Sequence, residues 1–138
     1  MIRTVQTEII TETIKKMCIE ANYSLSSDMV KAMRKAEEKE ESVLGKQILA
    51  QLQDNLEIAA SDMIPICQDT GMAVVFLEVG QDVHFEGGSF EDAVNEGVRR
   101  GYTEGFLRKS VVGDLFCGKT QKIILLRLFI RGSWKVIE

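Results

Sequence analysis

The stretch Pro65-Ile66-Cys67-Gln68-Asp69-Thr70-Gly71 separates a helical part of the chain from a part that contains strands. Before it, apolar residues recur every three or four positions, which is the period of a helix that packs on one face. After it, residues 72–79 are rich in β-branched and aromatic side chains and predict a buried strand. Pro65 ends the helical part because it lacks a backbone donor and biases Ile64 towards extended conformations.

The residues before Pro65 predict three helices, each with an apolar face. Ser26-Ser27-Asp28 offers N-cap chemistry for the start of the second helix. The predicted inward-facing residues are Ile2, Val5, Ile9, Ile14, Met17 and Ala21 in the first helix, Met29, Val30, Met33 and Ala36 in the second, and Leu44, Ile48, Leu52, Leu56, Ala59 and Met63 in the third.

The residues after the first strand predict a turn, a short second strand and a further helix. Val83-His84-Phe85 predicts a strand that pairs with residues 72–79, and a helix then begins near Ser89. This helix carries glycines at four-residue spacing, namely Gly97, Gly101 and Gly105. Because each mid-helix Gly costs about 1 kcal/mol relative to Ala, the three together predict the close approach of another backbone. The predicted fold class is α+β: three N-terminal helices followed by a small β-sheet packed by a Gly-rich helix.

Length and composition exclude several classes of protein. The 138 residues, 45% hydrophobic and 28% charged, are typical of one globular domain or a fragment of one. No apolar run approaches the roughly 20 residues of a membrane span, and no signal peptide opens the chain, so we expect a cytoplasmic protein that is not bound to a membrane. The net charge of −4 argues against binding to nucleic acid, which relies on clustered Lys and Arg.

The residues best suited to chemistry lie in two short clusters. Cys67, Gln68 and Asp69 place a soft thiolate ligand beside an amide and a carboxylate, at a junction where site residues are often found. A buried cysteine in a tight turn capped by Asp69 or Thr70 is the alternative interpretation of this cluster. Arg108 begins the second cluster, and its planar fork suits a carboxylate, although a basic residue at a helix end is also favoured by the helix dipole. Cys18 is expected in the core.

Five segments together resemble one known family. They are residues 65–71, the strand at 72–79, Glu86-Gly87-Gly88, residues 95–102, and Leu107-Arg108-Lys109-Ser110-Val111. From about residue 3 to residue 113, the chain resembles the iron–sulfur hydro-lyases, which are the class I fumarate hydratases and L-tartrate dehydratases. The match is to the N-terminal part of the α subunit.

The resemblance implies a [4Fe–4S] enzyme that reversibly adds water to a small dicarboxylate such as fumarate. Cys67 matches the first of three cluster cysteines. Gln68 and Asp69 match positions that contact the substrate, and Asp69 is a candidate for proton transfer. Arg108 matches an arginine that binds a substrate carboxylate. The implied partners of the intact enzyme are a β subunit or C-terminal domain, and a second copy in a homodimer.

Residues 114–138 depart from that family. They carry +3, whereas residues 1–113 carry −7 of the net −4. The change suggests a frameshift or truncation near residue 114, and a divergent tail that forms an edge strand within residues 123–130 is the alternative. Neither Cys18 nor Cys117 matches a cluster position. We therefore expect this chain alone to bind no stable cluster and to be inactive, or else to be a non-enzymatic interaction or assembly module derived from the same domain.

Overall fold

The computed structural model describes residues 2–68, 72–109, 112–114, 119–120 and 126–133. The mixture of helices and strands in these ranges confirms the predicted α+β class, including the three helices that precede the Cys67 stretch. The elements are β1 Arg3–Gln6, α1 Thr7–Tyr23, α2 Ser27–Lys39, α3 Val43–Asp62, β2 Ala73–Gly80, β3 Val83–Glu86, α4 Phe90–Glu104, β4 Val112–Asp114, β5 Lys119–Thr120 and β6 Leu126–Ser133.

The described strands form three two-stranded sheets rather than the one small sheet that we predicted. β1 pairs in parallel with β3, β2 pairs in parallel with β6, and β4 pairs antiparallel with β5. The predicted pairing of β3 with β2 is therefore wrong. The backbone N–H of Arg3 donates to the carbonyl of Asp82 (2.9 Å), so β1 occupies the position beside β3. That the Gly-rich helix covers a sheet stays a prediction.

The chain divides into two compact units. One comprises Met1–Ile19 and Asp69–Glu138, and the other comprises Glu20–Gln68. The first contains the contact between the N-terminal part of α1 and α4, and the second contains α2, α3 and the residues that lead to Cys67. The predicted boundary between residues 113 and 114 concerns another part of the chain and stays a prediction.

α1 buries only part of the apolar face that the sequence predicts. Ile14 is buried as predicted, but Ile9 and Met17 are more than half exposed, and Thr7 and Thr11 are buried instead. The Thr11 hydroxyl donates to the carbonyl of Ala93 in α4 (3.0 Å), so burial leaves this polar group satisfied. The prediction failed because a threonine with a hydrogen-bond partner can lie inside, and hydropathy alone does not show such a partner.

The glycine stripe of α4 allows the two helices to touch through their backbones. A Cβ atom on Gly97 would lie 2.7 Å from the carbonyl oxygen of Thr11. One on Gly101 would lie 2.8 Å from the Cβ of Cys18 and 3.0 Å from the carbonyl oxygen of Lys15. The distances of 2.7 and 2.8 Å are too short for a real Cβ atom, so α4 lies close against α1 at these two glycines.

α2 and α3 pack on each other less completely. α2 has no buried residue, and Ala59 is the only buried residue of α3. The amide of Gln53 donates to the carboxylate of Glu37, and the open groove beside this contact measures about 490 Å³. The predicted inward stripe of α3 lies largely in solvent, because Leu44 is 65% exposed and Leu52 is 46% exposed.

Candidate functional site

The segment that carries Cys67 follows a sharp reversal at the end of α3. Met63 has left-handed backbone angles (φ 54°, ψ 50°), and its N–H donates to the carbonyl of Ala59. The N–H of Ile64 donates to the same carbonyl (3.1 Å). The chain therefore leaves the helix within two residues, as the position of Pro65 in the sequence predicts, and continues towards Cys67.

Both backbone polar groups of Ile66 are held by neighbouring helices. Its N–H donates to the carbonyl of Asn22, in the last turn of α1 (2.8 Å). Its carbonyl accepts a hydrogen bond from the side-chain amide of Asn55, in α3 (2.9 Å). Residue 66 is thus fixed on two sides immediately before Cys67. Asn55 is not among the residues that the sequence pattern predicts for the site, although an asparagine inside a helix is a signal because its helix propensity is poor.

Cys67 and Gln68 are exposed, and Asp69 lies outside the described residues. Cys67 forms no disulfide in the described part of the chain. The exposure of Cys67 does not fit the buried, capped cysteine that the sequence left open, and its role as a metal ligand stays a prediction. The proton-transfer role of Asp69 stays a prediction.

Arg108 lies just beyond the end of α4. Phe106 adopts a left-handed conformation (φ 52°), and the N–H of Leu107 donates to the carbonyl of Tyr102 (3.1 Å). Leu107 is buried and anchors the segment, whereas Arg108 is exposed. The neighbouring Lys109 ammonium donates to the hydroxyl of Thr103 (2.8 Å). Arg108 therefore follows a fixed point of the chain, and its role in binding a carboxylate stays a prediction.

The structure brings Cys67 and Gln68 side by side in one unit, and Arg108 belongs to the other. Their joint action on one substrate therefore stays a prediction. Cys18 is half-buried against Gly101, and burial raises the pKa of its thiol, in agreement with the predicted core role. His84 is exposed on β3, and nothing described gives it a site role.

The donor set for a metal is incomplete among the described residues. No group of three or more His, Cys, Asp or Glu side chains there can hold a metal ion. The soft sulfur of Cys67 fits one ligand of an iron–sulfur cluster, but these residues do not provide the whole ligand set. None of the helices in the described ranges is long and apolar enough to cross a membrane.

Comparison with known proteins assigns the chain to a family. A model of the family described as Fumarate hydratase (Fumerase) matches residues 11–123. A Methanocaldococcus jannaschii protein named as an L(+)-tartrate dehydratase subunit alpha is 33% identical over 107 residues, which cover 77% of this chain and 38% of that protein. The anaerobic class I fumarate hydratase of Escherichia coli is 42% identical over 65 residues, which cover 47% of this chain and 12% of that enzyme.

The matched residues include both the Cys67 segment and Arg108. It belongs to the class I fumarate hydratase family, in agreement with the resemblance found in the sequence. The chain spans well under half the length of these relatives.

Proposed function

We propose that this chain is the N-terminal part of the α subunit of a cytoplasmic [4Fe–4S] hydro-lyase that adds or removes water on a small dicarboxylate, such as fumarate or tartrate. The family match over residues 11–123 carries the proposal, because it contains the exposed cysteine and the exposed arginine. The name of the M. jannaschii relative supports a β subunit, or an equivalent C-terminal domain, as the partner. The intact enzyme would be a homodimer.

Each named residue has one proposed role. Cys67 supplies one of three cysteine ligands, and the other two belong to parts of the enzyme beyond this chain. When bound, the cluster supplies Lewis acidity towards the hydroxyl of the substrate. Gln68 orients the substrate through its amide, Asp69 moves a proton, and the guanidinium of Arg108 binds a carboxylate through paired hydrogen bonds.

The proposal predicts that the 138-residue chain is inactive by itself. One cluster cysteine of three does not hold a [4Fe–4S] cluster in its usual form. After anaerobic reconstitution we expect iron and sulfide well below one equivalent per chain, and no hydration of fumarate. About four iron and four sulfide per chain would contradict this expectation.

A chimera tests the proposal with a complete enzyme. Residues 1–113 replace the matching segment of the M. jannaschii relative, which is expressed with its β subunit and assayed with fumarate and with tartrate. Arg108→Met should lower kcat/KM about 10–100-fold, because a charge-assisted hydrogen bond is lost. Lys31→Met makes the same charge change at an exposed position of α2 and should leave kcat/KM within about twofold. Equal effects of the two substitutions would refute the role of Arg108.

One observation favours a second candidate, the non-enzymatic interaction module. β6, in the atypical tail, pairs along the whole of β2, and on β2 the side chains of Val74 and Phe76 are 47% and 75% exposed. A strand pair with exposed apolar residues can bind a further strand or a second copy. The mass of the chain in solution separates the two candidates: a tight dimer ordered through residues 126–133 favours the module, and a monomer favours the enzyme fragment.

A further inference from the structure

We propose that Asn55 is a positioning residue that fixes the orientation of Cys67 for the cluster. The inference rests on the proposed function in one respect only, the role of Cys67 as a ligand. The contact itself is a feature of this chain: the side-chain amide of Asn55 donates to the carbonyl of Ile66 at 2.9 Å.

The geometry of the peptide bond links this contact to Cys67. The carbonyl of Ile66 and the Cα of Cys67 lie in the same peptide plane, which is rigid. A hydrogen bond to that carbonyl therefore limits the rotation of the plane from which the Cys67 side chain projects. The preceding plane, between Pro65 and Ile66, is held by the bond from the N–H of Ile66 to the carbonyl of Asn22 (2.8 Å). Two consecutive planes are thus anchored to two helices.

The two anchoring hydrogen bonds differ in the group that each helix contributes. The carbonyl of Asn22 is a main-chain group in the last turn of α1, where helix carbonyls lack helical partners and accept other donors. The anchor on the carbonyl of Ile66 comes from a side chain, and Asn55 supplies it from the interior of α3. A residue with poor helix propensity at this place is explained by the contact that it makes. This anchor can therefore be removed by substitution without altering the backbone of the helix.

The consequence is a segment that is exposed yet restrained. Cys67 and Gln68 face solvent, while the residue just before them is hydrogen-bonded on both sides. A ligand held in advance loses less conformational freedom when it binds its metal. Asn55 would act on the cluster through the orientation of Cys67, without contacting the cluster itself.

Amide hydrogen exchange of the full 138-residue chain, resolved by residue with NMR, tests the inference. In Asn55→Asp, the donor becomes an acceptor that faces the carbonyl of Ile66, and we expect the Ile66 amide to exchange about tenfold faster. Asn55→Ala removes the donor more gently and should raise that rate about fivefold. Gln51→Glu adds the same charge at an exposed position one turn earlier on α3 and should leave the Ile66 amide within about twofold of the wild type.

A general structural role predicts a different result. Alanine favours helix more than asparagine does, so in Asn55→Ala the midpoint of unfolding should hold or rise while the Ile66 amide exchanges faster. If Asn55 merely stabilised α3, global stability and Ile66 exchange would change together. Unchanged exchange at Ile66 in both Asn55 variants overturns the inference.

The outcome for Asn55 is independent of the outcome for the function. Exchange at Ile66 is measured without iron, so it reports the restraint alone. Faster exchange in the Asn55 variants, together with a chimera whose iron content does not depend on Cys67, would leave the restraint established and refute the ligand role, and with it the positioning role. Unchanged exchange with iron that depends on Cys67 would refute only the role of Asn55.

Discussion

The contact between α1 and α4 and the contact between α2 and α3 are both helix pairs, but they bury very different amounts of apolar surface. At the first, glycines and threonines let the backbones touch, and Val94, Val98 and Tyr102 are almost fully buried. At the second, the connection is short and the contact partly polar, and the apolar stripe of α3 faces solvent. The apolar residues of a helix thus indicate which face can be buried. At the α1–α4 contact that face is buried within this chain, because small residues let the two helices approach closely.

The exposed stripe of α3 comprises Leu44, Ile48 and Leu52, each at least 46% exposed. The aligned residues cover 38% of the length of the M. jannaschii relative.

Two leucine substitutions compare a buried position in the unit that contains α4 with an exposed position of α3. Leu107 is 4% exposed, and Leu107→Ala should lower the free energy of unfolding by about 2–5 kcal/mol because it leaves a cavity. Leu52 is 46% exposed, and Leu52→Ala should lower it by less than about 1 kcal/mol. Urea unfolding of the 138-residue chain supplies both values. Equal losses would show that the stripe of α3 is already buried in this chain.

A substitution in the glycine stripe of α4 tests the α1–α4 contact by adding a single methyl group. Gly101→Ala gains about 1 kcal/mol of helix propensity, but the methyl group would lie 2.8 Å from the Cβ of Cys18. Overpacking of this kind costs about 1–3 kcal/mol, so we expect a net loss of up to about 2 kcal/mol by urea unfolding. Gly80→Ala is the control, because its methyl group would meet nothing closer than 3.8 Å. Increased stability of Gly101→Ala would contradict close backbone packing.

The smallest predicted effect concerns the charges that connect α1 with α4. Arg100 bonds to Glu8 and Glu12 of α1 and to Glu96 of α4, and hydrogen bonds from Arg99 and Arg100 lower the pKa of Glu96 from 4.5 to about 2. A lowered folded-state pKa contributes stability above the unfolded value, and this is lost as the pH falls from about 4.5 towards 2.

Glu96→Gln should therefore flatten the loss of stability over that pH range. Because Glu96 is one third exposed, we expect the effect at pH 7 to be only about 0.5–1 kcal/mol. Glu57→Gln, an exposed change on α3, is the control and should leave the pH profile unchanged. Identical profiles for wild type and Glu96→Gln would show that the ion pairs contribute nothing measurable.

Local patterns in the sequence predicted the helices and strands that are specified by neighbouring residues. Pro65 marked the end of the helical part, the apolar run at 72–79 corresponds to β2, and Ser89 accepts a hydrogen bond from the N–H of Asp92 as the cap of α4. β1 was missed and assigned to helix, because four residues whose parallel partner lies 80 positions away leave no local signal. The buried face of α1 was misplaced because Thr7 and Thr11 are polar.

The residues of the candidate site likewise include some that the sequence identifies and one that it does not. The Cys67 motif stands out in the sequence because a thiol, an amide and a carboxylate are adjacent there, and Arg108 stands out because it begins a polar cluster. Asn55 does not, because its contact with Ile66 depends on the left-handed turn at Met63, which returns the chain to α3. A contact that depends on one backbone reversal is visible only in the folded chain.

The most direct test of the account is whether Cys67 holds iron. In the chimera, reconstituted without oxygen, Cys67→Ser should reduce bound iron to less than about a tenth of the parent content, because the cluster loses a required thiolate. Cys18→Ser, at the half-buried α1–α4 contact, is the matched control and should retain the parent iron content. Full iron in Cys67→Ser, or equal losses in the two variants, would contradict the assignment of Cys67 as a cluster ligand.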